Sequence, residues 1–265
     1  MNIAPMPAVP TPSDDSPLNH VVWQALCGRH AALAVGSDDA RRYSPDVGPF
    51  GALRPPTTGT AGQLVELLRI GSPVVLVVAE EERPFDGLVP FKRALVDQMV
   101  LADPSAMASV PDIEALTMGA KDLPDILDLV RVTKPGPFGS RTLELGRYLG
   151  VRLEGRLVAL SGERMKLPGF TELSAVCVDP SCRGRGLAAS LMKAVARGIV
   201  ARGETPFLHV FTDNLTAIAL YERLGFRLRR RFSVNFFDES SVAGAGESLS
   251  APSDPSGTPR PTTPS

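Results

Sequence analysis

The chain has little of what would tie it to a metal, a disulfide framework, a membrane or a polyanion. In 265 residues there are three histidines and three cysteines. Cys27, Cys177 and Cys182 are odd in number and lack metal-ligand spacing, so neither a metal site nor a stapled fold is expected. A reducing compartment, the cytoplasm by default, is the matching expectation. Basic and acidic residues nearly cancel, 28 Lys and Arg against 29 Asp and Glu, for a formal charge of −1. No global field therefore draws the chain to nucleic acid or to an acidic membrane surface, and any anion binding must be local. No apolar run is long enough to span a bilayer, and residues 1–15 lack the basic and apolar regions of an export signal, so a soluble protein is expected. What is present is a hydrophobic content of 43%, enough at this length for a sizeable core.

Composition divides the chain into four parts. Residues 1–17 are Pro-rich, and residues 239–265 are largely Ser, Pro, Thr, Gly and Ala. Both are expected to be disordered, because neither can bury enough apolar surface to offset its ordering entropy. Residues 18–110 read as an N-terminal α/β half, with a helix over 61–70 and a buried strand over 73–79, and contain no catalytic motif. Trp23, His20 and His30 there read as packing and surface groups, since no carboxylate or cysteine stands at ligand or triad spacing. Residues 111–238 are easier to parse. A short strand over 113–116 and a helix over 122–132 lead to a short helix near 142–146. Strands over 148–153 and 157–164 flank Glu154-Gly155-Arg156 as a hairpin, and Thr171 to Val178 forms a further strand. A helix from Leu187 to about Gly203, a strand over 206–211, a helix capped by Asn214 and ended by Gly225, and strands over 226–237 complete the order. The class is α/β: a mixed sheet with helices on its faces.

The richest stretch is Val176 to Ala188, V-C-V-D-P-S-C-R-G-R-G-L-A. A strand feeding a glycine-paved helix start leaves several backbone N–H groups unpaired and aimed at one point, where the helix dipole also favours negative charge. Gly184 and Gly186 let an anion approach the backbone, and Arg183 and Arg185 add charge. Gly184, Gly186 and Ala189 also fit the dinucleotide pattern G-x-G-x-x-A. However, that fingerprint follows the first strand of its domain, whereas here only two strand-and-helix steps remain. A P-loop is excluded because no G-K-[S/T] follows.

Arg183-Gly-Arg-Gly186-Leu-Ala188 resembles the Q/R-x-x-G-x-G/A signature of the GNAT superfamily of acyl-CoA-dependent N-acetyltransferases. A second family pattern, N-x-x-A-x-x-x-Y-x-x-x-G-F, is matched by Asn214, Ala217, Tyr221, Gly225 and Phe226. The resemblance covers about residues 111–237, and the first half resembles the degenerate copy found in the two-half branch related to glycine N-acyltransferases. It implies a GNAT fold in the C-terminal half and acetyl-CoA as cosubstrate, with no metal. The pyrophosphate would rest on Arg183, Gly184, Arg185, Gly186, Leu187 and Ala188. The pantetheine arm would run along Val176, Cys177 and Val178, near Asn214 and Ala217. It implies Tyr221 as the acid that serves the leaving sulfur. The strand G-F-T-E-L-S-A-V-C-V is similar to that of the histone-acetylating branch, which makes Glu172 the expected base for the amine, with ordered water as the alternative. Period-two alternation sets Glu172, Ser174 and Val176 on one strand face. Glu163 and His209 are weaker candidates for the base, and Cys177 reads as a small buried hydrophobe.

The implied activity is acetyl transfer from acetyl-CoA to a primary amine by direct attack in a ternary complex; an acyl-CoA-binding regulatory module is the alternative. Small amine, amino acid, antibiotic and protein N-terminus all stay open as the acceptor. The run Arg227 to Arg231 reads as a solvated strand edge, or else as an attractor for an acidic acceptor. The first half is either scaffold or the wall of the acceptor pocket.

Overall fold

A computed structural model describes residues 16–55, 58–85 and 88–242. The disorder expected for the two flanks falls almost wholly outside these residues. The first half supplies α1 (Val21–Cys27), β1 (Ala34–Gly36), β2 (Ala40–Tyr43), β3 (Phe50–Leu53), α2 (Ala61–Ile70), β4 (Val74–Ala79) and β5 (Lys92–Leu101). The second half supplies β6 (Leu116–Thr117), α3 (Leu123–Thr133), β7 (Tyr148–Leu153), β8 (Arg156–Leu167), β9 (Phe170–Val178), α4 (Leu187–Val200), β10 (Thr205–Phe211), α5 (Leu215–Arg223) and β11 (Phe226–Phe237).

Local chemistry explains most of these elements. Thr60 and Gln63 form a reciprocal capping box at the start of α2, so two otherwise unpaired donors are satisfied. Asn214 accepts from the Ala217 amide at 3.2 Å and starts α5. Gly155, with φ +79, makes the tight turn between β7 and β8. Along α4, Leu191, Met192, Val195 and Ile199 are almost wholly buried at helical spacing. Each such side chain stabilises the fold by roughly 1.5–3 kcal/mol relative to exposure.

All strands join one eleven-stranded sheet in the order β1-β2-β3-β4-β11-β5-β10-β9-β8-β7-β6. Pairing is antiparallel except for β3 with β4 and β10 with β9. Helices α4 and α5 pack with Met99, Leu208 and Phe226 on one face. Helix α1 packs on the other face with Tyr43, Val75, Phe207 and Phe232, and α3 covers Tyr148, Leu160 and Cys177 beside it. The two halves are thus interleaved: β5 lies between β10 and β11, and β11 bonds β4 along six residue pairs.

This interleaving also places the Arg227–Arg231 run. The run pairs with β5 alone, since β4 joins β11 only from Phe232 onward, so this stretch is a local sheet edge, as expected, with Arg227, Leu228 and Arg231 exposed. A bulge between Leu228 and Arg230 turns Arg229 inward, where it is buried and donates to Gln98 Oε1 and Asn19 Oδ1, each at 2.8 Å. Arg230 reaches Glu81 at 2.7 Å and Arg231 reaches Asp97 at 2.8 Å, so the run ties the two halves together. Among the described residues, no helix is long and apolar enough to cross a membrane, and no group of His, Cys, Asp and Glu is set to hold a metal ion.

Candidate functional site

The site is built on a split in the sheet. β9 and β10 run parallel and pair only from Phe170, Thr171 and Glu172 to Thr205, Pro206 and Phe207. Beyond that point the strands part. The register of β9 against β8 then jumps, with Ser174 opposite Gly162 but Cys177 opposite Leu160, so three steps on β9 face two on β8. Ala175 absorbs the extra residue at φ +53, an uncommon conformation for a residue with a Cβ. The bulge breaks the alternation expected for Glu172, Ser174 and Val176: Leu173 and Val176 now share the α4 face, while Ala175 and Cys177 turn toward α3. A bulged strand released from its neighbour offers unpaired backbone groups to an extended ligand.

On the α4 side of the split lies a groove of about 510 Å³. Val176, Cys177, Val178, Arg183, Gly184, Arg185, Gly186, Leu187, Ala188, Asn214 and Ala217 all line it, so the structure brings together every residue expected to contact the cosubstrate. Gly184 and Gly186 sit at φ +75 and +77, and no side chain caps α4, so its first amides stay open to the groove. Arg183 and Arg185 are exposed beside them. This donor set suits a pyrophosphate. Cys177 is buried, with its thiol pushed up to about 11 by desolvation, and is inert as a nucleophile.

On the other side lies a cavity of about 290 Å³, lined by Phe50, Val75, Val77 and Val96 of the first half and by Arg164, Ser174, His209, Val234 and Phe236 of the second. Thr133, Val176, Asn214 and Tyr221 line both spaces and mark their junction. Tyr221 is 9% exposed and packs edge-on against Phe226, with ring centroids 6.3 Å apart. Burial pushes its pKa up to about 12, and its hydroxyl has no hydrogen-bond partner among the described residues.

Glu172 does not line the cavity, which corrects the expectation that it meets the amine. It is fully buried and grips Arg164 through both oxygens, at 2.7 and 2.8 Å, while also accepting from the Met165 amide at 3.3 Å. Burial alone would raise its pKa, but the charge and hydrogen bonds of Arg164, helped by His209, hold it far below the carboxylate range. A base must reach the proton it removes, and this carboxylate sits behind the wall. Its third partner is on the wall: His209 Nδ1 lies 2.7 Å from Glu172 Oε1. His209 Nε2 is 3.2 Å from Gln98 Nε2, and Gln98 Oε1 is occupied by Arg229, so the amide nitrogen is the donor and the imidazole the neutral Nδ1–H tautomer. Glu163 is also buried, paired with Lys166 at 3.0 Å and Arg202 at 2.8 Å, and lies off the cavity.

Arg164 and the first-half wall went unread in the sequence. Arg164 and Glu172 lie on the two strands that flank the Pro168-Gly169 turn, and a bulge between Glu163 and Lys166 brings them together, a shift the sequence did not signal. The wall residues belong to strands distant in sequence and carried no signal either.

Comparison with known proteins agrees with this geometry. The FR47-like protein family matches residues 148–234, from β7 into β11. The N-alpha-acetyltransferase RimI of Mycobacterium tuberculosis is 40% identical over 91 residues, 32% of this chain and 56% of that one. A mycothiol acetyltransferase of Clavibacter michiganensis subsp. michiganensis is 34% identical over 151 residues, 55% of this chain and 45% of that one. The chain thus spans about half the length of these two relatives. A solved GNAT-family structure from Novosphingobium aromaticivorans is 40% identical, with a TM-score of 0.75 over 84% of this chain and 98% of that one. With that identity over nearly the whole of a solved member, a split sheet and an open glycine-paved helix start, this chain belongs to the GNAT family.

Proposed function

We propose that the protein transfers an acetyl group from acetyl-CoA to the primary amine of a small molecule, amino acid or peptide by direct attack in a ternary complex. The observation that carries this reading is the position of Tyr221, whose unpaired hydroxyl stands where the anion-binding groove meets the cavity. Acetyl-CoA supplies the acetyl thioester. The α4 N-terminus and the Gly184 and Gly186 backbone hold its pyrophosphate, and the released edge of β9 aligns the pantetheine arm. Amides of the bulged strand donate to the carbonyl oxygen as charge develops there. An amine nitrogen in the cavity forms a bond to the carbonyl carbon and gives up its proton to ordered water, the carbon–sulfur bond breaks, and Tyr221 passes its proton to the leaving sulfur, which becomes the CoA thiol. Because burial keeps the Tyr221 hydroxyl protonated at neutral pH, the proton is in place when the sulfur leaves.

Glu172 acts in this scheme as a positioning residue. It holds Arg164 and His209 against the cavity. RimI and mycothiol acetyltransferase carry N-alpha-acetylation and mycothiol acetylation in their names, and this chain's acceptor is read from its own cavity below.

The test is release of CoA from acetyl-CoA with a panel of primary amines, alongside acetyl-CoA binding. Tyr221→Phe is expected to lower kcat by about a hundredfold with binding of acetyl-CoA intact. Intact binding without turnover on any amine would instead identify an acyl-CoA-binding module.

A further inference from the structure

The cavity constrains the acceptor more narrowly than the family does. Its volume of about 290 Å³ stands at the lower end of small-molecule sites, roughly 300–1,000 Å³. Phe50, Val75, Val77, Val96, Val234 and Phe236 make most of its inner surface apolar. No aspartate or glutamate lines it among the described residues. Glu172, the carboxylate behind the wall, is fully buried with both oxygens committed. The charges that do line it are cationic: Arg164, and Lys134 at the C-terminus of α3.

Arg164 shows how those cations are aimed. Its Nε and Nη2 are spent on Glu172, and its guanidinium lies over the Phe50 ring, 4.9 Å from the centroid. Its Nη1 makes no hydrogen bond among the described residues, although the side chain is only 17% exposed. A guanidinium pinned on two sides, with its remaining nitrogen open beside the cavity, is pre-organised to donate to an oxygen anion. A second cation on the acceptor would meet Lys134 and an Arg164 already paired with Glu172, with no carboxylate on the cavity lining to receive it.

Resting on the transferase reading above, we infer that the acceptor is a free α-amino acid with an aromatic or branched aliphatic side chain. Its side chain fills the apolar inner wall. Its carboxylate is held by Arg164 Nη1 and drawn by Lys134, which turns the amine toward the junction at Tyr221. The amine loses one proton, gains the acetyl carbon and leaves as an N-acetyl amino acid with CoA thiol as the other product.

The experiment uses the full chain saturated with CoA or acetyl-CoA. Turnover is measured with L-phenylalanine, L-leucine, 2-phenylethylamine, putrescine and the dipeptide phenylalanyl-alanine, and L-phenylalanine binding to the CoA complex is measured by calorimetry. The amino acids are expected to exceed 2-phenylethylamine, putrescine and the dipeptide at least tenfold in kcat/KM. Exposed Lys134→Glu should raise KM for L-phenylalanine several-fold and narrow its lead over 2-phenylethylamine. Equal use of phenylalanine and phenylethylamine, or preference for putrescine or the dipeptide, would overturn the inference while leaving acetyl transfer standing. Binding of L-phenylalanine without turnover would support the pocket assignment and break the transferase reading, whereas neither binding nor turnover would overturn both.

Discussion

The groove and the cavity lie on opposite sides of one split in the sheet, yet they are made in opposite ways. The groove is nearly continuous in sequence, from Val176 to Ala189, joined by one side of α5 and by Thr133 of α3. Its working parts are backbone amides, glycines and exposed arginines, which need no neighbour to set their chemistry. The cavity is assembled from β3, β4, β5, β8, β9, β10 and β11, and its polar groups are fixed by buried partners. A ligand gripped by backbone is handled by local structure, whereas a ligand selected by shape and charge depends on the whole sheet.

That contrast breaks first at Glu172. Glu172→Gln removes the counter-charge of Arg164, whose side chain is only 17% exposed. A loss of about 3–5 kcal/mol is expected, read by urea unfolding. A loss below about 1 kcal/mol would show that the cavity wall is not held by this pair. Below that in size is the acid response of the same face. His30 is buried between the Tyr43 hydroxyl at 2.8 Å and the Leu145 carbonyl at 3.0 Å, and burial lowers its pKa from 6.5 to about 4. Between those values the unfolded chain takes up a proton that the folded chain refuses. Stability is therefore full above about pH 6.5 and falls toward pH 4, by up to about 3 kcal/mol. His30→Gln should flatten that slope, and a slope that persists would assign it to other groups. The groove is expected to respond least. A Cβ at Gly186 would meet no protein atom within 4 Å, so Gly186→Ala acts through its φ of +77 and through the room it takes from the anion. The cost of about 1–2 kcal/mol should appear as roughly a tenfold weaker Kd for acetyl-CoA, with fold stability less affected than by Glu172→Gln.

Legibility follows the same division. The helices α2, α3, α4 and α5 and the strands β7 to β10 were readable because their periodicity and punctuation are local. β5, K-R-A-L-V-D-Q-M-V-L, mixes charged and apolar residues without strict alternation, since its buried polar groups Asp97 and Gln98 are satisfied by Arg231, Arg229 and Leu18 of other segments. The Arg227–Arg231 run was legible as an edge but its ties were not, for the same reason: the amide and carboxylates that hold Arg229, Arg230 and Arg231 come from residues more than a hundred positions away.

The sequence by itself determined the groove, because glycine conformations, a helix start and an N-cap are set within a few residues of chain. Only the tertiary structure decided the rest. It inserted β5 between β10 and β11, bulged β9 at Ala175, and withdrew Glu172 from the expected encounter with substrate into an ion pair with Arg164. The physical reason is that a carboxylate's role is set by its solvation and its charged neighbours, and packing across the sheet supplies both.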